Sequence, residues 1–261
     1  MSTSISPSRH PVVPEQEWIV ARRELLAREK AFTREQEGIA AARRALPWVR
    51  VEKEYVFETL GGNVSLAELF DGRSQLIVKH NMLNPKHDVC VGCSLEMDHI
   101  EGALVHLPHR DVTFVAISRA PVEQIQAAQR RMGWSATWVS SFHNDFNYDF
   151  HASFRPEVIA SGEVFYNYEV APIPIEDLSG FSVFYKDENG DIYLTYASFG
   201  RGQENIISAY VMLDMTPKGR DETGQYRGMR DWARPHDRYD TDGFIDPIGQ
   251  FVSTESCCHR T

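Results

Sequence analysis

The apolar run Leu76-Ile77-Val78, followed by Cys90-Val91-Gly92-Cys93 and then by a stretch from Ser94 to Leu107 that reads as a helix, sets two cysteines at a strand-to-helix junction. Backbone N–H groups at a helix N-terminus stabilise a thiolate and can bring a cysteine pKa from about 8.5 to between roughly 3.5 and 7.5. A second cysteine three residues on lies one turn away, close enough to attack a mixed disulfide formed by the first. In a chain with four cysteines the spacing alone is a modest signal. The strand before it and the helix after it make it specific.

Outward from this junction the elements alternate. The strand Val112 to Ser118 is apolar almost throughout, and a helix follows from Val122 to Met132 with Val122, Ile125 and Met132 on one face. Such a βαβα run implies a parallel sheet covered on both sides. Another strand is expected at Trp138 to Phe142. Upstream, Val49 to Glu58 alternates as a strand, Gly61-Gly62-Asn63 turns it, and Val64-Ser65-Leu66 returns, giving a β-hairpin entry. Downstream, Phe181 to Lys186 and Ile192 to Phe199 flank Asp187-Glu188-Asn189-Gly190 as a second hairpin, and Glu204 to Asp214 reads as a closing helix.

That element order is the order of the thioredoxin-like fold. The expected class is α/β, a central mixed sheet flanked by helices, with a β-hairpin entry, a long N-terminal helix and an insertion before the final hairpin. Three regions are expected: residues 1–46 as a tail and long amphipathic helix, 47–215 as the thioredoxin-like domain with an insertion at about 143–178, and 216–261 as an irregular extension that wraps the domain or moves. In the insertion one strand is expected at Val164 to Tyr168. Phe146, Tyr148 and Phe150 alternate with Asn147 and Asp149, which fits a half-buried strand or the lip of a substrate pocket.

In the N-terminal helix Trp18, Leu25, Phe32, Ile39 and Leu46 recur every seven residues, while the intervening positions Ala21, Arg28, Glu35 and Ala42 are not large and apolar. This stripe is too narrow for a free-standing zipper and suits a helix laid on its own domain or on a partner, as in a homodimer.

Composition narrows the function. The formal net charge of -10 argues against a surface built to neutralise phosphates, so neither nucleic acid nor an anionic membrane is an expected partner. The N-terminus MSTSISPSRH has no apolar segment, and no later run approaches the eighteen or so apolar residues of a membrane span. Two of the four cysteines form the motif and two, Cys257 and Cys258, lie in the tail, which is no secreted disulfide framework. A cytoplasmic protein is expected.

The segments LPWVRVEKEYVFET, SLAELFDGRSQLIVKH, CVGCS, DVTFVAISRAP, RMGW, WVSSFHNDFNYDFH, FSVFYKDENGDIYLTYASFGRG and LDMTPKGRDE resemble a bacterial family of uncharacterised thioredoxin-like proteins described as predicted dithiol-disulfide oxidoreductases. The resemblance runs from the N-terminal helix to about Tyr239. It implies the fold and a redox activity in which, by analogy with thioredoxins, Cys90 is the exposed attacking thiol and Cys93 the buried resolving one. Substrates would be thiols or disulfides, with a cellular thiol reductant as electron source and no cofactor.

The sequence departs from related patterns in three places. Thioredoxins carry a cis-proline before the hairpin strand, where Ser179-Gly180-Phe181 stands here, so Gly180 is the nearest equivalent and thioredoxin-style docking of a protein substrate is in question. The hairpin entry and AISRAP are closer to peroxiredoxins, but His87 occupies the threonine position of their Pro-x-x-x-Thr-x-x-Cys pattern, which argues against peroxide reduction by that mechanism. The Val91-Gly92 filling leaves the redox poise open, since potentials in this superfamily run from about -270 to -120 mV.

Several residues carry two readings. His87, as imidazolium, would favour the Cys90 thiolate, or is an ordinary loop histidine. Lys79 and His80 end the first sheet strand near the dithiol, or are rim residues. His99, His106 and His109 read as solvated. Cys257-Cys258-His259 would complete a zinc site with Cys90 and Cys93 if the tail folded back, would relay electrons to that pair, or would do neither. The preferred reading is an oxidoreductase; the alternative is a non-catalytic thioredoxin-like binding module, with or without zinc.

Overall fold

The computed structural model describes residues 10–254. Helix α1 (Glu15–Arg44) carries Glu15 and Glu17 in its first turn and Arg43 and Arg44 in its last, each sign matched to the helix dipole. None of its 30 residues is buried. Its stripe, Trp18, Leu25, Phe32 and Ile39, stays between 44% and 62% exposed, so among the described residues α1 does not bury this stripe on its own domain. At its C-terminal end the Arg43 guanidinium stands over the Tyr196 ring at 5.3 Å.

The stretch expected as one entry strand divides in two. β1 (Val49–Arg50) joins one edge of the sheet, while β2 (Val56–Thr59) and β3 (Gly62–Ser65) form a hairpin at the other. The chain then runs β4 (Gln75–His80), α2 (Val91–Ile100), β5 (Val112–Ser118), α3 (Val122–Met132) and β6 (Thr137–Ser140). Residues 143–178 hold α4 (Phe146–Asp149), α5 (Pro156–Ser161) and the small hairpin β7 (Val164–Tyr166) and β8 (Glu169–Ala171). The second hairpin is β9 (Gly180–Lys186) with β10 (Ile192–Phe199), followed by α6 (Ser208–Asp214) and a last hairpin, β11 (Gly243–Ile245) with β12 (Phe251–Ser253).

Eight strands make one sheet in the order β1-β10-β9-β4-β5-β6-β2-β3. β4, β5 and β6 are parallel, with Ile77 beside Phe114 and Val115 beside Thr137. β9 runs antiparallel to β4 and sets Gly180 opposite His80. The run β10-β9-β4-β5 with its crossover helix α2 is the thioredoxin-like core, and the sheet is mixed and flanked by helices as expected.

Both faces of the central strands are covered, which is why β5 reads as an unbroken apolar run. Phe114 and Ala116 face α2 and α3 and pack with Cys93, Met97, Ile100 and Ile125. Val115 and Ile117 face the other way, joining Phe57, Leu76, Val78, Phe146 and Phe184. Phe146 therefore belongs to the core, and the centre of the Phe142–Phe154 segment is not a strand but one turn of helix anchored by Phe146 against Tyr55, Phe57 and Phe184; Asp149, Phe150 and His151 at its end line an open cleft with Phe165 and Tyr168.

Helix α2 is buried almost all round. Cys93, Met97 and Ile100 meet the sheet, while Val91 and Leu95 meet Ile207, Tyr210, Ala233 and Ile245. The second set comes from Ile207 just before α6, from α6 itself and from the extension after it. Each such large apolar side chain contributes about 1.5–3 kcal/mol when fully buried. The expected closing helix Glu204 to Asp214 is interrupted: a 3-10 segment covers Gly200–Ile206, Ile207 is extended, and the α-helix begins only at Ser208. That break drops Ile207 and Tyr210 onto α2. Helix α2 itself stops at Ile100, giving way to 3-10 turns at Glu101–Ala103 and Leu107–Arg110 instead of running to Leu107.

Candidate active site

Cys90 is the residue at the N-cap of α2, with extended backbone, and its carbonyl accepts the N–H of Ser94 at 2.8 Å. Its own N–H donates to the Met82 carbonyl at 3.2 Å, which ties the helix start to the loop leaving β4. Cys90 is half-buried, Cys93 is 1% exposed, and both are free thiols. The Cys93 thiol donates to the Cys90 sulfur, and the backbone N–H groups of Cys93 and Gly92 point at it as well. These donors bring the Cys90 pKa down to about 7 against burial and the charge of Glu96. Cys93 is pushed well above the usual thiol range, first because its proton is held by Cys90 and then because it is buried; the positive charge of Lys79 opposes this. Cys93 Sγ also accepts the Met82 N–H at 3.4 Å.

Beneath the pair lies an ion pair that the sequence reading missed in half. Lys79, placed by that reading either near the dithiol or on the rim, is fully buried and bonded to the carboxylate of Glu96, itself 5% exposed. Lys79 Nζ also donates to Ser179 Oγ and to Gln203 Oε1, the latter at 2.8 Å, and stands 4.8 Å from the Phe181 ring centroid. Burying two charges is tolerated only where such additional bonds complete their shells. Glu96 follows Cys93 by three residues, the spacing that puts two side chains on one helix face, so a signal for it existed. Alternation along β4 sends Lys79 to the α2 side and its neighbour His80 to the other. There His80 Nε2 meets Ser182 Oγ at 2.9 Å and the ring stacks on Phe146. Burial, and then the Lys79 charge, lower the His80 pKa to about 3, so it is a neutral core residue and not a rim residue.

Gly180 starts β9 next to Ser179. A Cβ at this position would lie 2.7 Å from the Phe199 ring, so glycine is required there by packing. His87 is held by its backbone, donating N–H to the Asn84 carbonyl and accepting from Gln124 Nε2 at 3.1 Å, and it lines a small pocket with Met82, Glu176 and Ile248 in which neither cysteine takes part. His99 is not solvated: Nδ1 lies 2.6 Å from the Leu95 carbonyl, and Nε2 accepts the Ala209 N–H at 3.1 Å. His106 and His109 are exposed.

The extension expected to be irregular forms the roof of the site. The Gly249 carbonyl accepts the Val91 N–H, Gly249 itself is buried with φ +87°, and a Cβ on it would lie 3.0 Å from Cys90 Sγ. Met229 lies over Gly92, where a Cβ would come within 3.0 Å of its sulfur. Arg131 fastens this cover by bonding both Asp88 and Asp237, and Asp98 accepts from Trp134 Nε1 while meeting His236 Nδ1 at 2.7 Å. Cys257, Cys258 and His259 lie outside the described residues; among the described residues no cluster of three or more His, Cys, Asp or Glu side chains is arranged to hold a metal ion. Among them, too, no helix is long and apolar enough to cross a membrane.

Residues 7–239 match the model of a family described as bacterial protein of unknown function (DUF899). No curated protein matches the sequence. Solved structures similar to this chain include a peroxidoxin BcpB from Mycobacterium tuberculosis, at 11% identity over 62% of this chain and 93% of that one, with a TM-score of 0.42. A peroxiredoxin Q from Xanthomonas campestris aligns at 13% identity over 59% and 88%, with a TM-score of 0.41. A hypothetical protein from Sinorhizobium meliloti aligns at 13% over 56% and 68%, with a TM-score of 0.37.

Proposed function

The chain belongs to the DUF899 family of bacterial proteins of unknown function, and from the geometry of its dithiol we propose that it is a thiol-disulfide oxidoreductase of a reducing, cytoplasmic compartment. The observation that carries this reading is the asymmetry of the pair: Cys90 is half-buried and lowered to about 7, while Cys93 is buried behind it, raised, and bonded to it through its proton. One thiol is set to attack and the other to wait.

In the proposed cycle the Cys90 thiolate attacks one sulfur of a substrate disulfide, forming a mixed disulfide and releasing the first substrate thiolate. Cys93 loses its hydrogen-bond acceptor at that moment, and its proton passes to the departing thiolate. Lys79 stabilises the Cys93 thiolate through its charge. Cys93 then attacks the Cys90 sulfur, the second substrate thiolate leaves and takes a proton from water, and an internal Cys90–Cys93 disulfide remains. A cellular dithiol returns two electrons and two protons. Glu96, Ser179 and Gln203 hold Lys79 in place, and Gly180 lets Phe199 pack beside them.

Replacing the resolving residue tests the reading. The Cys93→Ser protein is expected to accumulate a mixed disulfide through Cys90 when given a disulfide substrate, seen as a mass increase that dithiothreitol removes. A Cys93→Ser protein that stays unmodified would support the binding-module alternative instead.

A further inference from the structure

The backbone of one residue, Met82, touches both cysteines. Its N–H donates to Cys93 Sγ at 3.4 Å, and its carbonyl accepts the Cys90 N–H at 3.2 Å. Met82 is held from two sides. Toward β4, Asn81 donates its N–H to the Ile117 carbonyl at 2.8 Å, and the Asn81 carbonyl accepts Ser118 Oγ–H at 2.6 Å and the Leu83 N–H at 2.9 Å. Toward α2, the buried Asn84 side chain accepts the Lys86 N–H at 2.9 Å and donates Nδ2–H to Asp177 Oδ2 at 2.6 Å. Asp177 comes from the end of the insertion, 93 residues away in sequence. Its buried carboxylate is engaged at both oxygens: Oδ1 accepts from Arg119 Nε at 2.7 Å and Ser153 Oγ at 2.6 Å, and Oδ2 accepts from Arg119 Nη2 at 3.2 Å besides Asn84. Hydrogen bonds to a charged group are about twice as strong as neutral ones, so this carboxylate is a firm anchor for the loop.

Resting on the oxidoreductase reading above, we propose that Asp177 is a positioning residue for the resolving step: through Asn84 it fixes the loop that aims the Met82 N–H at the Cys93 sulfur. A donor aimed at a sulfur favours the thiolate over the thiol. It therefore acts when Cys93 gives its proton to the first departing thiolate. The Cys93 thiolate then attacks Cys90 Sγ of the mixed disulfide. Its electron pair forms the Cys90–Cys93 bond, the bond from Cys90 to the substrate sulfur breaks, and that sulfur leaves as a thiolate that takes a proton from water. The same segment also serves the other influence on Cys93. Two residues after Asp177, Ser179 Oγ accepts from Lys79, whose charge favours the Cys93 thiolate. One short stretch at the end of the insertion thus holds both the N–H and the ammonium that prepare the resolving sulfur.

The test is stopped-flow reaction of the reduced full chain, carrying Cys257→Ser and Cys258→Ser, with dithiobis(nitrobenzoate). One thionitrobenzoate is released when Cys90 attacks and a second when Cys93 resolves, so the two steps are read separately. Asn84→Asp sets carboxylate against carboxylate, Asp177→Asn sets amide donor against amide donor, and Asn84→Ala deletes the link. Each should slow the second release about ten-fold, the change in thiolate fraction that one pKa unit makes, and leave the first release unchanged. The exchanged protein, Asn84→Asp with Asp177→Asn, restores a donor facing an acceptor and should recover the second release. Ser153→Ala removes a bond to the other carboxylate oxygen; it should lower the urea midpoint and leave both releases as in the parent. A second release that is unchanged in all three single variants at the link, slowed equally by Ser153→Ala, or not recovered by the exchange would overturn the positioning role while leaving the oxidoreductase standing. If the parent itself releases only the first thionitrobenzoate, Cys93 does not resolve, and the oxidoreductase reading fails together with the positioning role.

Discussion

The carbonyl of Gly249 bonds the N–H of Val91 at 2.9 Å, across 158 residues of sequence, and so takes a donor at the start of α2 that would otherwise face outward. The same glycine lies against Cys90 with a backbone conformation that L side chains rarely adopt. Gly249→Ala should therefore cost about 1 kcal/mol or more of stability and slow the alkylation of Cys90 by iodoacetamide. Chemical unfolding and a mass-resolved alkylation time course check the two effects; unchanged alkylation would mean that the loop does not crowd the sulfur.

The Cys90 thiol should show half-maximal alkylation near pH 7, because hydrogen bonds from Cys93 and from the helix N–H groups favour its thiolate. Cys93→Ala removes the largest of these influences. Its Cys90 should titrate higher, toward the ordinary value of about 8.5. Thiolate absorbance near 240 nm, followed across pH 5 to 10 in each protein, reads this directly.

Glu96→Gln leaves the buried Lys79 ammonium without its counter-charge, and removing one partner of a buried ion pair costs about 3–5 kcal/mol. The same change removes a negative charge that raises the pKa of Cys90. The variant should be markedly less stable in urea, with its Cys90 titrating lower than in the parent. The double variant Lys79→Met, Glu96→Leu should recover most of the stability.

His80 gives the protein a pH-dependent stability of known sign. Its pKa falls from about 6.5 in the unfolded chain to about 3 in the fold. Between these values the unfolded state holds a proton that the folded state does not. This contribution is therefore complete above pH 6.5 and declines by about 1.4 kcal/mol per pH unit as pH falls toward 3. Urea midpoints measured from pH 7 to pH 4 in the parent and in His80→Asn should differ in slope by that amount.

Among the described residues, the apolar stripe of helix α1 is left exposed. A free helix of this length gains most of its stability from a packed face, and a second copy supplies one. Light scattering should give a dimer for the full chain and a monomer for residues 46–261, with the domain still folded. An unchanged subunit number after deletion would rule out assembly through α1.

Much of this architecture is legible in local pattern. The dithiol at its helix start, the apolar run of β5, the one-sided α3 and the Asp-Glu-Asn-Gly hairpin each carry their own period or turn chemistry. Lys79 shows why a charge within an apolar run matters: the strand periodicity puts it on the covered α2 side, where only a counter-charge such as Glu96 can accommodate it. The break in the closing helix at Ile207 follows from tertiary packing onto α2 and has no breaker residue to announce it. Phe146 deceived because an aromatic alternation of period two was satisfied by a single helical turn on the core. The roof over Cys90 was illegible for a deeper reason: Gly249 and Met229 belong to a polar, punctuated stretch that has local turns of its own but is placed over α2 by contacts with residues far away in sequence, such as the Gly249–Val91 bond.

Whether Cys90 and Cys93 form a redox pair is decided by an intact-mass thiol titration of the full chain across dithiothreitol redox buffers, with peptide mapping of the labelled cysteines, before and after metal chelation. One reversible two-electron step that maps to Cys90 and Cys93 and does not change with chelation is expected. Thiols that stay reduced throughout, or that become labelled only after a chelator releases zinc, would contradict it.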